Sequence, residues 1–216
     1  MNRFRNINKN IFIISILLFL FTFFSIKSYA DSITTDLSSS VFRLHIIANS
    51  NSEEDQNLKF KVRDSLLEYM SSLTKGSNSK QETISIVNSH INDFRSIAKK
   101  TISDFGFDYD VDVEVGNFSF PTKDYGDISF PAGNYDALRV KIGDFKGKNW
   151  WCVMFPPLCF VDISSATVPE ESKETLKESL SDEEYELISK SNETSEIKFK
   201  IVEIFNNFNS KIANSN

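Results

Sequence analysis

The chain has 216 residues, 40% of them hydrophobic and 25% charged, which are the proportions of an ordinary globular protein. They exclude a disordered tail, a collagen-like fibre and a multi-span membrane protein. The formal charge is −6, but residues 1–30 carry four bases (Arg3, Arg5, Lys9, Lys27) and no acid, so the remainder is at −10. Nucleic acid is not an expected ligand, because phosphate binding needs a basic footprint.

Arg3, Arg5 and Lys9 precede an uncharged run from Ile11 to Ile26, and Ser28-Tyr29-Ala30 follows with small residues at the positions a signal peptidase reads. This is the layout of a secretory signal peptide, residues 1–30, with cleavage between Ala30 and Asp31. The run of 16 residues falls short of the ~20 that comfortably span a bilayer, which favours cleavage over an uncleaved N-terminal anchor. On either reading everything from Asp31 onward is expected to work outside the cytoplasm.

A polar lead-in, residues 31–40, runs into an apolar stretch from Val41 to Ala48 that reads as a strand. Asn49-Ser50-Asn51-Ser52 is a turn cluster, and Ser52 with Asp55 three residues on predicts a helix cap. Leu58, Val62, Leu66, Tyr69 and Leu73 then share one helical stripe, which Gly76-Ser77-Asn78 ends. A second helix is predicted through Ile84, Val87, Ile91, Phe94, Ala98 and Phe105, with Gly106 past its end as the C-cap. Val111, Val113 and Val115 alternate with acids as a half-buried strand; 137–142 and 150–155 predict two more. Between them lies a ten-residue echo, Ser119-Phe120-Pro121 to Tyr125 against Ser129-Phe130-Pro131 to Tyr135, read as an ordered loop pinned by its aromatics because Pro disfavours a central strand.

From Glu170 to Glu196 ten acids meet three lysines, so 169–196 reads as an acidic arm or linker. Ile197, Ile201, Ile204, Phe205 and Phe208 place a closing helix in 197–216. The order of elements predicts a single α+β domain over 41–168, with helices covering a mostly antiparallel sheet.

Chemistry is sparse. His90 has no metal-ligating partner at i±4 and reads as a boundary residue. Strand alternation puts Arg43 and His45 on one face, with Asn49 and Ser50 where a helix begins, an arrangement that could hold a carboxylate. The alternative is that Arg43 and His45 face solvent or tie down the loop. Cys152 and Cys159 form a disulfide if Pro156-Pro157 reverses the chain, and stay inert buried thiols if it does not. No catalytic, metal-binding or phosphate-cradling motif is present, so neither catalytic residues nor a cofactor is expected.

Arg43 through Gln56, Phe120 through Tyr125, Pro131 through Val140 and above all Gly147 through Cys159, with its Trp-Trp-Cys and Pro-Pro-Leu-Cys words, resemble stage II sporulation protein R. The resemblance implies a non-enzymatic messenger, exported from the forespore into the space between forespore and mother cell. Its implied partner there is a membrane-embedded aspartic protease of the mother cell, which cleaves the pro-form of sigma-E. Adjacent Trp150 and Trp151 on one strand must point to opposite faces, and with Arg43, His45 and Asn49 they are the candidate partner-binding residues. The rival expectations are an exported hydrolase acting on peptidoglycan or peptide through His45, and a structural protein of wall or membrane.

Overall fold

Strand β1 (Phe42–Ile47) is apolar enough to be buried on both faces, and it holds the centre of the molecule. A computed structural model describes residues 2–74, 76–159, 168–189, 200, 203 and 204. The other strands of the main sheet are β2 (Val111–Phe120), β5 (Gly133–Ile142) and β6 (Asn149–Phe155), in the order β2-β5-β1-β6. β2 and β6 run antiparallel to their neighbours, but β1 lies parallel to β5, with Arg43 opposite Ala137 and Ile47 opposite Lys141. The sheet is therefore mixed: two of its three pairings are antiparallel, in line with the mostly antiparallel sheet expected, and one is parallel. A parallel neighbour has to come from far along the chain, so the local pattern of β1 carries no trace of it.

One face is covered by helices. Ser52 caps α2 (Glu53–Leu73) by accepting from the Asp55 amide at 3.2 Å, and the predicted stripe buries Leu58, Val62 and Leu66 almost completely. The predicted second helix is in fact two, α3 (Lys80–Ser89) and α4 (Ile91–Asp104), broken at His90. The His90 carbonyl accepts from the Asp93 amide at 2.9 Å and the Phe94 amide at 3.1 Å, which starts α4 afresh, while its imidazole pairs with Asp93 at 2.8 Å and meets the Tyr69 hydroxyl at 3.1 Å. Gly106, at φ +83°, ends α4 in a Schellman turn, with Phe107 N–H bonded to the Ile102 carbonyl and Gly106 N–H to that of Ser103.

The other face is closed by the segment expected to be a loop. Phe120 ends β2, Gly133 begins β5, and between them β3 (Lys123–Tyr125) pairs with β4 (Ile128–Phe130) in a hairpin of its own. Both prolines fall between strands, so neither removes a ladder hydrogen bond.

The acidic stretch does not stand off as an arm. Its helices α5 (Glu170–Ser179) and α6 (Asp182–Ile188), with Leu180 between them, bury Leu176, Leu180, Leu187 and Ile188 and turn most of their charges outward, Glu184 excepted, which is buried and accepts from the Ser40 hydroxyl at 2.7 Å. Lys173 pairs with Asp127 of the hairpin at 2.7 Å, which ties α5 to it. The closing helix expected over 197–216 lies outside the described residues, apart from helical Lys200, Glu203 and Ile204.

The lead-in 31–40 is helical too, because α1 (Asn2–Ser40) continues unbroken through it. Ile11–Tyr29 is apolar, unburied and long enough to cross a membrane, as a signal sequence is. At its other end α1 docks, with Leu37 fully buried and the Ser38 carbonyl accepting from Lys80 at 2.7 Å. The Ala30–Asp31 bond sits between these two regions.

Candidate functional site

Arg43 is fully buried, so it neither faces solvent nor waits for an anion. Its guanidinium carbon lies 4.3 Å from the centre of the Phe120 ring, 4.8 Å from Tyr135 and 5.7 Å from Phe130. Nη2 donates to the Tyr125 hydroxyl at 3.1 Å, whereas Nε and Nη1 have no hydrogen-bond partner among the described residues. Ring quadrupoles thus do what a carboxylate usually does, each contributing on the order of 0.5–2 kcal/mol. These four rings are the two Phe and two Tyr of the ten-residue echo, at matching positions in each copy.

The carboxylate site foreseen at the start of α2 is filled by the protein itself. Asp55, almost fully buried, accepts from Asn49 Nδ2 at 2.8 Å. Burial opposes its ionisation, yet hydrogen bonds from Ser50, Asn49, Tyr109 and Ser52 outweigh that and hold its carboxyl below the usual range. Asn49 Oδ1 meanwhile accepts from the Asp144 amide at 2.9 Å. Gly143 beside it, at φ +55°, would put a Cβ 2.3 Å from that oxygen. Asn49 is a knot between two loops, not a contact held ready for a partner.

His45 and Trp151 do come together. They face each other across β1 and β6, and their rings stack at 5.4 Å with 19° between planes. His45 Nε2 bonds to Asn149 Oδ1 at 3.0 Å, Lys123 Nζ lies 4.3 Å from the Trp151 ring, and Tyr125 donates to the Trp151 carbonyl at 3.2 Å. Burial pushes the His45 imidazole below its ordinary value of 6.5; the Asn149 bond opposes this, and Arg139 and Arg43 reinforce it. A lowered pKa means that the unfolded chain takes up the proton first, so this contribution to stability is complete above pH 6.5 and lost as pH falls beneath it. Urea midpoints measured downward from pH 6.5 are expected to fall in the native protein and to fall less in His45→Gln; equal slopes in the two would refute the assignment.

Trp150 points to the opposite face, as strand alternation requires, and meets the Arg63 guanidinium of α2 at 5.0 Å. Both tryptophans are half-buried and pack against the core from the two faces of β6. β6 is an edge strand, which leaves this Trp pair on the rim of the sheet. Beyond it the chain turns back at Pro156-Pro157, where the Phe155–Pro156 peptide is cis, and Cys159 closes a disulfide onto Cys152 across a Cα separation of 5.1 Å. A loop this small gives the bond a worth of about 2.5 kcal/mol. Among the described residues no group of three His, Cys, Asp or Glu side chains is placed to hold a metal.

Sequence reasoning passed over Lys123 and Arg63, the cations against the two tryptophans. Arg63 lies on the polar side of the α2 stripe, and Lys123 lies in the echo, where only the aromatics drew notice.

A family model described as stage II sporulation protein R matches residues 38–165. The stage II sporulation protein R of Bacillus subtilis (strain 168) is 40% identical over 137 residues, which are 62% of this chain and 61% of that protein. The match thus spans a little under two thirds of the curated relative. No solved structure matches.

Proposed function

Because the chain belongs to the stage II sporulation protein R family, with β1, the aromatic cage and the Trp pair all inside the matched region, we propose that it is an exported messenger of sporulation. In this reading it leaves the forespore, enters the space shared with the mother cell, and docks on a membrane-embedded aspartic protease whose activation leads to cleavage of pro-sigma-E. The observation that carries the reading is the rim of β6, where two half-exposed tryptophans each lie against a cation. Aromatic rings and Arg are what interfaces concentrate at their centres. Activation follows if the messenger binds the working arrangement of the protease more tightly than the resting one.

Docking is better supported than hydrolysis. His45 is buried against Trp151 and Phe120, and its hydrogen bond goes to an Asn amide, not to a carboxylate or nucleophile. The test is to add the purified exported protein to cells that make the protease but not the messenger. Pro-sigma-E cleavage is expected to resume; continued absence of cleavage, with the protein shown folded and present at the membrane, would remove the proposal.

A further inference from the structure

We infer that the face of α2 beside Trp150 is a receptor for carboxylates, on which an acidic segment of the partner protein seats against Arg63 and Lys148, above the buried Lys59. This rests on the docking reading above and adds the chemistry of what docks.

Lys59 is the starting point. It is 3% exposed, and its ammonium donates to neutral oxygens, Gln56 Oε1 at 2.7 Å and the Lys148 carbonyl at 3.1 Å, and lies 4.6 Å from the centre of the Phe60 ring. Among the described residues no carboxylate lies within ion-pair distance of Lys59 or of Lys148. Buried charges are ordinarily paired. Here the charged neighbours are Arg63 and Lys148, of like sign, and they add to burial in pushing the ammonium pKa down.

Arg63 brings a second cation to the same place. Its guanidinium lies 4.9 Å from the Phe60 ring and 5.0 Å from Trp150, and its acid partner is the adjacent, exposed Asp64. Phe60 is itself 36% exposed. A cationic, aromatic surface is out of keeping with a chain that stands at −10 beyond residue 30. An arriving carboxylate meets the accessible Arg63 and Lys148 over the buried charge of Lys59, while Phe60 and Trp150 cover the apolar part of the segment that carries it. The complementary signs also steer the encounter, which makes binding sensitive to salt.

The test titrates the tryptophan fluorescence of the exported protein with a short blocked peptide of alternating glutamate and leucine, beside counterparts in which lysine or glutamine replaces glutamate. Only the glutamate peptide is expected to bind, with an affinity that falls about tenfold between roughly 0.05 and 0.5 M salt. Arg63→Glu and Lys148→Glu, each with unchanged circular dichroism, are expected to weaken it by a further ~10-fold. No binding of the glutamate peptide, equal binding of the other two, or unchanged affinity in both reversals overturns the inference. So does a dimer mass in solution that the reversals abolish, because it would give the patch to a second copy of this chain. Processing of pro-sigma-E tells the two proposals apart. Loss in Trp151→Ala with normal processing in the double reversal keeps docking and removes the acidic partner; normal processing in both removes docking as well.

Discussion

Arg43→Ala is expected to lower the stability of the fold by about 3–5 kcal/mol, whereas Arg43→Met is expected to leave it within about 1 kcal/mol of the native protein, or above it. The two substitutions remove the same charge and differ in the volume they leave. Alanine empties a cage walled by Phe120, Phe130 and Tyr135, and rings fixed between two strands and a hairpin cannot collapse into the gap. Methionine fills it with a flexible apolar chain that also packs well on aromatic faces. It also takes away two buried nitrogens that have no partner among the described residues, a saving set against the lost ring contacts. Chemical denaturation of the three proteins checks this. If methionine proves as harmful as alanine, the guanidinium holds the hairpin in place by its charge and not by its bulk.

Trp151→Ala is expected to remove about 2 kcal/mol or more of docking free energy, roughly thirtyfold in affinity, and with it pro-sigma-E processing. The ring does two jobs at once, stacking on His45 inside and lying under Lys123 at the rim. Loss of function therefore has to be separated from loss of fold. Trp151→Phe keeps a ring on His45 and is expected to keep both export and processing, whereas Trp151→Ala is expected to be exported at a normal level and fail to signal. Immunoblots for the exported protein and for the cleaved sigma factor read both outcomes. Normal processing in the alanine variant would move the docking surface elsewhere.

How far this could be foreseen differs from one element to the next. The stripe of α2 was legible because helical burial follows spacing alone, and Leu58, Val62 and Leu66 are buried as their spacing demands. The break at His90 was not, since Ile84, Val87, Ile91 and Phe94 keep a helical rhythm straight across it. Burial of Leu176, Leu187 and Ile188 was hidden by the acids around them: charge density reports the outer side of a helix and is silent about the inner one.

At the site, the opposite facing of Trp150 and Trp151 was certain from strand geometry, but which ring met which neighbour depended on β1 lying between β5 and β6. The echo was visible as a repetition, and its aromatics were correctly taken as pins. Nothing in the local pattern connected them with Arg43, some eighty residues upstream of Tyr125 and reached only when the hairpin folds back over the sheet.

The disulfide also has a bearing on timing. A reducing interior keeps Cys152 and Cys159 apart, so a newly made chain lacks the tie that fastens β6 to its returning loop. Under the export proposed above, the chain crosses the membrane loosely held, and oxidation on the far side then locks what has already passed. The rim carrying both tryptophans would thus become rigid only after the journey, in the compartment where it is needed.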